Sequence, residues 1–185
     1  ISLDIGGGST ECGIGSRHEC GWAGSLPIGC VNLTESFGLD KPVSHKQVSD
    51  AYNYARQQVA QLGRQLSHDD IHRYTLLASG GTATTYASYQ LGVEPYHHEE
   101  IRGMNGRREE VARTIDELCK LDIPARARQA GLPEERAPIL PAGLIVLLAI
   151  LDLTGIDTFC VTPRGLRFGL IVRMRAGELE PTWTW

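Results

Sequence analysis

Asp4-Ile5-Gly6-Gly7-Gly8-Ser9-Thr10-Glu11 gathers three glycines, two hydroxyls and two carboxylates into eight consecutive residues. Successive glycines let the backbone turn sharply and bring its N–H groups close to an anion, because no Cβ stands in the way. Ser9 and Thr10 add side-chain donors, so residues 6–10 read as a phosphate cradle. The carboxylates of Asp4 and Glu11 do not attract phosphate. Their expected duty is to hold a divalent cation or to steer a water. The pattern points to phosphoryl chemistry, with Gly6, Gly7, Gly8, Ser9 and Thr10 on the phosphate and Asp4 and Glu11 as catalytic and metal-binding acids.

Two well-known phosphate loops are excluded. A Walker loop needs GxxxxGK[ST], and this stretch has no lysine. A dinucleotide fingerprint opens a helix, whereas Glu11 to Ser16 is short, glycine-rich and alternating and reads as a second strand. The loop is therefore expected at a β-hairpin tip. A hairpin without a ligand is the competing reading, and it leaves the clustered acids and hydroxyls unexplained.

The elements that must position this loop follow from the remaining pattern. Residues 1–5, 11–16 and 19–28 read as a three-stranded antiparallel meander. Asn32, with Glu35 three residues on, predicts the cap of a helix, and Gly29 a tight approach of two backbone segments. Residues 44–66 repeat Val48, Ala51, Tyr52, Ala55, Val59, Leu62 and Leu66 at helical spacing, starting at Val43 or Ser44. An apolar run at 73–79 ends in Gly80-Gly81-Thr82, after which a helix is expected. A glycine-hydroxyl turn at the carboxyl end of a strand is where open α/β sheets place ligands, so Gly80, Gly81 and Thr82 join the phosphate-binding set. A purely structural turn is the alternative there. Residues 93–106 read as polar and irregular, 107–121 as a helix, 123–153 as helices with a buried apolar member, 158–161 as a strand and 166–174 as a last helix.

Composition bounds the function. The 185 residues, 42% of them apolar, suffice for one good core. A net charge of −4 gives no general pull toward nucleic acid or an anionic membrane, so a polyanion must be held locally. Arginines are expected to do this, and Arg102 and Arg167 are the candidates to guide a polyphosphate tail. His97-His98-Glu99-Glu100 has the residue types of a metal site, but adjacent side chains diverge, which favours a solvated loop. Cys12, Cys20, Cys30, Cys119 and Cys160 form no CxxC pair and read as reduced, structural thiols. The longest apolar run, 139–151, is too short for a membrane crossing. A soluble, cytoplasmic protein is expected. Ile1 lies within the apolar start of a strand, which leads to the expectation of an upstream domain.

Five motifs together give a family resemblance: DIGGGSTE at 4–11, GSLPIGCVNLTE at 24–35, ASGGTATTYA at 78–87, ILPAGLIVL at 139–147 and VTPRGLRFGLI at 161–171. In this order they resemble the second domain of the exopolyphosphatase and guanosine pentaphosphate phosphatase family. The resemblance implies an α/β fold of the actin-like, ribonuclease H-like ATPase superfamily, with a mixed central sheet and flanking helices. It implies that residues 1–185 form one actin-like domain, the C-terminal half of a two-domain phosphatase whose N-terminal domain is absent. The site would lie in the cleft between the two. There the enzyme would release the terminal phosphate of polyphosphate or convert guanosine pentaphosphate to tetraphosphate, using a divalent cation, with Mg²⁺ expected.

Carried over by position, Gly6 to Thr10 would bind the terminal phosphoryl group, while Asp4 and Glu11 would hold cation and water. The family's other catalytic glutamate belongs to the first domain. Where members commonly carry Leu-Arg-Glu-Gly, this chain has Leu166-Arg167-Phe168-Gly169. An actin-like ATP-dependent kinase and a non-catalytic phosphate- or alarmone-binding module are the competing readings, and a homodimer is left open. The chain by itself is expected to be inactive or weakly active.

Overall fold

The computed structural model describes residues 1–16, 19–66, 73–93 and 97–177. Strands β1 (Ser2–Ile5), β2 (Thr10–Gly15) and β3 (Cys20–Leu26) form the expected antiparallel meander. Strand β4 (Leu76–Ser79) joins β1 in parallel, and β6 (Thr158–Val161) joins β4 in parallel. The short β5 (Asn105–Arg107) closes the far edge antiparallel to β6, giving the sheet order β3-β2-β1-β4-β6-β5.

Side chains alternate across a strand, so β1 buries Leu3 and Ile5 on one face and presents Ser2 and Asp4 on the other. Helices α1 (Cys30–Phe37), α2 (His45–Gly63), α3 (Gly80–Leu91), α5 (Arg108–Leu118) and α7 (Leu140–Thr154) supply the core. Helix α7 is apolar almost all round, as a central buried helix must be, and α1, α2, α3 and α5 pack on it. Helix α2 begins at Ser44 with a capping box: Ser44 and Gln47 satisfy each other's backbone N–H groups. Two short helices, α4 (His98–Ile101) and α6 (Ile123–Ala127), and α8 (Leu166–Arg175) complete the chain. No helix among the described residues is long and apolar enough to cross a membrane.

Three expectations need correction. Asn32 is not the cap of α1; Gly29 is, and Asn32 lies inside the first turn. Residues 97–106 are not an irregular stretch, since they form α4 and enter β5. The cysteines are all free, but Cys20 is exposed and Cys160 half-buried, so only Cys12, Cys30 and Cys119 are core residues.

Candidate active site

The loop between β1 and β2 is held from behind. Gly6 N–H donates to Ser9 O at 2.9 Å, closing the turn. Cys30 N–H donates to Gly6 O at 2.9 Å, Val31 N–H to Gly7 O at 2.9 Å, and Asn32 Nδ2 to Gly8 O at 3.3 Å. The first N–H groups of α1, which have no partner within the helix, are thus satisfied by loop carbonyls. Gly29 is required for this docking, because a methyl group added there would run into the Gly7 peptide.

Within each planar peptide unit, C=O and N–H point in opposite directions. Carbonyls of residues 6–8 turned toward α1 therefore turn the N–H groups of Gly7, Gly8 and Ser9 away from it. Among the described residues these three N–H groups have no hydrogen-bond acceptor. A row of outward N–H donors is an anion nest.

The two acids stand beside the nest. Asp4 and Glu11 are directly paired across β1 and β2, so both side chains lie on the sheet face away from α7. Ser9 Oγ donates to Glu11 Oε1 at 2.6 Å and Ser25 Oγ to the same oxygen at 3.1 Å, which fixes the carboxylate and leaves Oε2 for another partner. The Asp4 carboxylate packs against the starts of two helices. A methyl group at Gly80, the first residue of α3 with φ +80°, would collide with Asp4 Oδ1, and one at Gly165, which caps α8, would stand 3.1 Å from Oδ2. Two neighbouring carboxylates suit a hard cation that completes its shell with water and phosphate oxygens. Among the described residues no three His, Cys, Asp or Glu side chains group to form a closed metal cage.

Two expected phosphate contacts fail on the same ground, that the hydroxyl faces the core. Thr10 is fully buried and donates to Ile28 O at 2.7 Å. Thr82 is buried and donates to Ile5 O at 3.3 Å, tying α3 to β1. Gly80 and Gly81 do lie at the site, as the first turn of α3.

Sequence reasoning missed Arg136. A methyl group at Gly81 would stand 2.7 Å from Arg136 Cζ and both Nη atoms, so the guanidinium lies against the N-terminal turn of α3. It shares a narrow crevice with Cys30 and Thr85 and has no carboxylate partner among the described residues. Burial pushes the Cys30 thiol above its usual range, and the neighbouring Arg136 works against that rise. A cation beside the positive end of a helix dipole is repelled by it. The placement makes sense for a group that meets an anion there.

A profile of the Ppx/GppA phosphatase family matches residues 1–178. The chain belongs to the Ppx/GppA phosphatase family. It is 31% identical, over 177 residues, to a guanosine-5'-triphosphate,3'-diphosphate pyrophosphatase of Vibrio parahaemolyticus, covering 94% of this chain and 33% of that protein. It is 30% identical to exopolyphosphatase 1 of Mycobacterium leprae, covering 98% of this chain and 53% of the relative. The chain therefore spans a third to about half of the length of these relatives. Among solved structures, the Aquifex aeolicus Ppx/GppA family member superposes with a TM-score of 0.85 at 27% identity, over 97% of this chain and 56% of that one. The sheet and its flanking helices are thus the actin-like fold of Ppx/GppA phosphatases.

Of the remaining expected residues, Arg102 and the His97–Glu100 group are not brought to the cradle of this family member. Arg102 is exposed and pairs with Glu99 at 3.5 Å. The Arg167 side chain lies outside the described residues. His98, Glu99 and Glu100 form a one-turn helix, not a loop, and belong to no metal-binding group among the described residues.

Proposed function

We propose that this chain is the C-terminal half of a cytoplasmic phosphohydrolase that releases the terminal phosphate of inorganic polyphosphate or guanosine pentaphosphate. A further actin-like domain of the same protein would supply the facing wall of the cleft. The observation that carries this reading is the outward N–H row of Gly7, Gly8 and Ser9 beside the paired carboxylates of Asp4 and Glu11. The names of the relatives, one acting on a guanosine phosphate and one on polyphosphate, support the substrate classes. The free thiols agree with a reducing compartment.

Phosphoryl transfer is chiefly positioning and charge stabilisation. The loop N–H groups hold the non-bridging oxygens of the terminal phosphate, and Arg136 meets negative charge from the α3 side. Glu11, held through Oε1 by Ser9 and Ser25, orients the attacking water at Oε2 and accepts its proton. Asp4 and Glu11 together would hold Mg²⁺ or a similar divalent cation, which supplies charge neutralisation and a more acidic water.

The test is Glu11→Gln in the full-length protein, assayed by phosphate release from polyphosphate. The expected outcome is a fall in kcat of about 100-fold or more with KM changed little, because general-base catalysis typically contributes about 10²–10⁴. Equal losses in kcat and in affinity would place Glu11 in a structural role and sink this assignment.

A further inference from the structure

The two edges of the sheet are built differently. At one, β5 is three residues long and carries Arg107, whose guanidinium lies 3.6 Å from Glu109. A short, charged edge resists pairing with a strand of another molecule. At the other, β3 is seven residues long, Cys-Gly-Trp-Ala-Gly-Ser-Leu, with neither a charge nor a proline. No charged residue occurs between Glu19 and Glu35, so β3 has none of the usual protection of an edge.

In an antiparallel ladder a residue's N–H and C=O point to the same side, and successive residues alternate between the two sides. Ser25 O accepts from Gln61 Nε2 of α2 at 3.2 Å, so the backbone groups of Ser25 face away from β2. By the same alternation Ala23 presents its N–H and C=O outward, where no strand among the described residues lies. The register break opposite Ile14 and Gly15 also leaves Gly21 without a partner in β2. Gln61 takes one lone pair of the Ser25 carbonyl, which leaves the other for a second donor.

The side chains of this edge fit a second copy of the same strand. Trp22 is half-buried on the core side, and its indole lies along its own strand over Gly24, where a methyl group would stand 2.5 Å from Cζ2. In a twofold antiparallel pairing centred on Ala23, residue 22 of one copy stands opposite residue 24 of the other. Each Trp22 then meets a glycine with no side chain to displace it, and the two indoles become diagonal neighbours within aromatic reach. Glu19 stands opposite Pro27, so no like charges are brought together. We propose that β3 is a self-association edge: two copies pair their β3 strands antiparallel about Ala23 and join their sheets into one. The pairing uses the edge and not the open face, so Asp4, Glu11 and the loop stay uncovered. It therefore stands or falls independently of the phosphohydrolase reading. One strand pair with two rings buries less than the roughly 1,200–2,000 Å² of a stable interface, so the dimer forms in the micromolar range.

The experiment is sedimentation velocity of the full-length protein from about 1 to about 100 µM, beside Ala23→Lys, Ala23→Glu and an equal mixture of the two. Ala23 is exposed, so the fold tolerates both substitutions, and thermal melts check this. The unaltered protein is expected to shift from the mass of one chain to that of two as its concentration rises. Each variant alone places like charges directly opposite each other at the axis and is expected to dimerise at least about tenfold more weakly. Mixing them places a lysine opposite a glutamate and is expected to restore the dimer, less so at high salt. A protein that stays monomeric throughout overturns the proposal. So does a dimer that survives unchanged in both variants, since another surface then forms it, and so does a mixture that associates no better than its components.

Discussion

At the scale of single residues, the site divides into groups adjacent in sequence and groups brought in by topology. Asp4, the glycines, Ser9 and Glu11 fall within eight residues of sequence, so their gathering around one turn was legible from residue types alone. Thr10 was misread, although period-two alternation with Cys12 and Ile14 places it on the core side of β2. Arg136 was not legible. It sits in a Pro- and Glu-rich connection before α7, and only the packing of α7 under α3 carries its guanidinium to Gly81. Its lack of a carboxylate partner gives a direct expectation. Arg136→Ala removes no ion pair of the fold, so thermal stability should change by no more than about 0.5 kcal/mol. Phosphate affinity should fall by tenfold or more, the value of about 1.4 kcal/mol for one lost charge contact. Calorimetric titration with tripolyphosphate beside a thermal melt separates the two. A large loss of stability with unchanged affinity would make Arg136 a packing residue.

At the scale of elements, strong periodicity made α2 and α5 readable and the apolar run at 139–151 announced α7 as a buried helix, while the capping box at Ser44 decides between the two starts, Val43 and Ser44, left open for α2. β5 was invisible because Asn105-Gly106-Arg107 has no apolar alternation. It exists through pairing with β6 and through Gly106, where a side chain would strike the Phe159 ring. Helices α2 and α5 are joined to α7 by a polar contact that no local pattern announces. Asp152 of α7 accepts from Tyr52 of α2 and from Arg108 of α5, the Arg108 Nη2 contact being 3.2 Å. Burial alone would raise the Asp152 pKa, but the hydrogen bonds from Arg108 and Tyr52 outweigh it and hold the carboxyl below its ordinary value. Burial and the same carboxylate push the Tyr52 hydroxyl up to about 12. A carboxyl depressed in the folded state contributes stability that is present above its unfolded pKa, near 3.9, and lost as pH falls through the folded value. Asp152→Asn should therefore cost about 2 kcal/mol at pH 7, and the gap to the unaltered protein should close below about pH 4. Urea titrations across pH 3 to 7 give the comparison, and a gap independent of pH would remove Asp152 from the acid-sensitive set.

At the scale of the whole molecule, the arrangement is one-sided. The face carrying α1, α2, α3, α5 and α7 is closed, whereas Asp4 and Glu11 stand on the other face at the end of the sheet. Preorganised donors are strongest where water is excluded, and nothing among the described residues covers the outward side of the loop. Two carboxylates and a row of N–H groups can meet a phosphate but leave the rest of a cation's shell and of the developing charge to solvent. The 185-residue chain by itself is accordingly expected to bind tripolyphosphate in the millimolar range, with turnover at least about a thousandfold below that of the full-length protein, since removal of one preorganised donor alone costs about 10²–10³. Phosphate release by the two forms, measured at equal site concentration with Mg²⁺ present, decides the matter. Turnover by the chain within tenfold of the longer form would show that the cradle, Asp4, Glu11 and Arg136 are sufficient, and that a facing wall contributes affinity and not chemistry. The expected outcome would instead make closure over the loop the step that completes the site, since the donors on this wall are already in place before any substrate arrives.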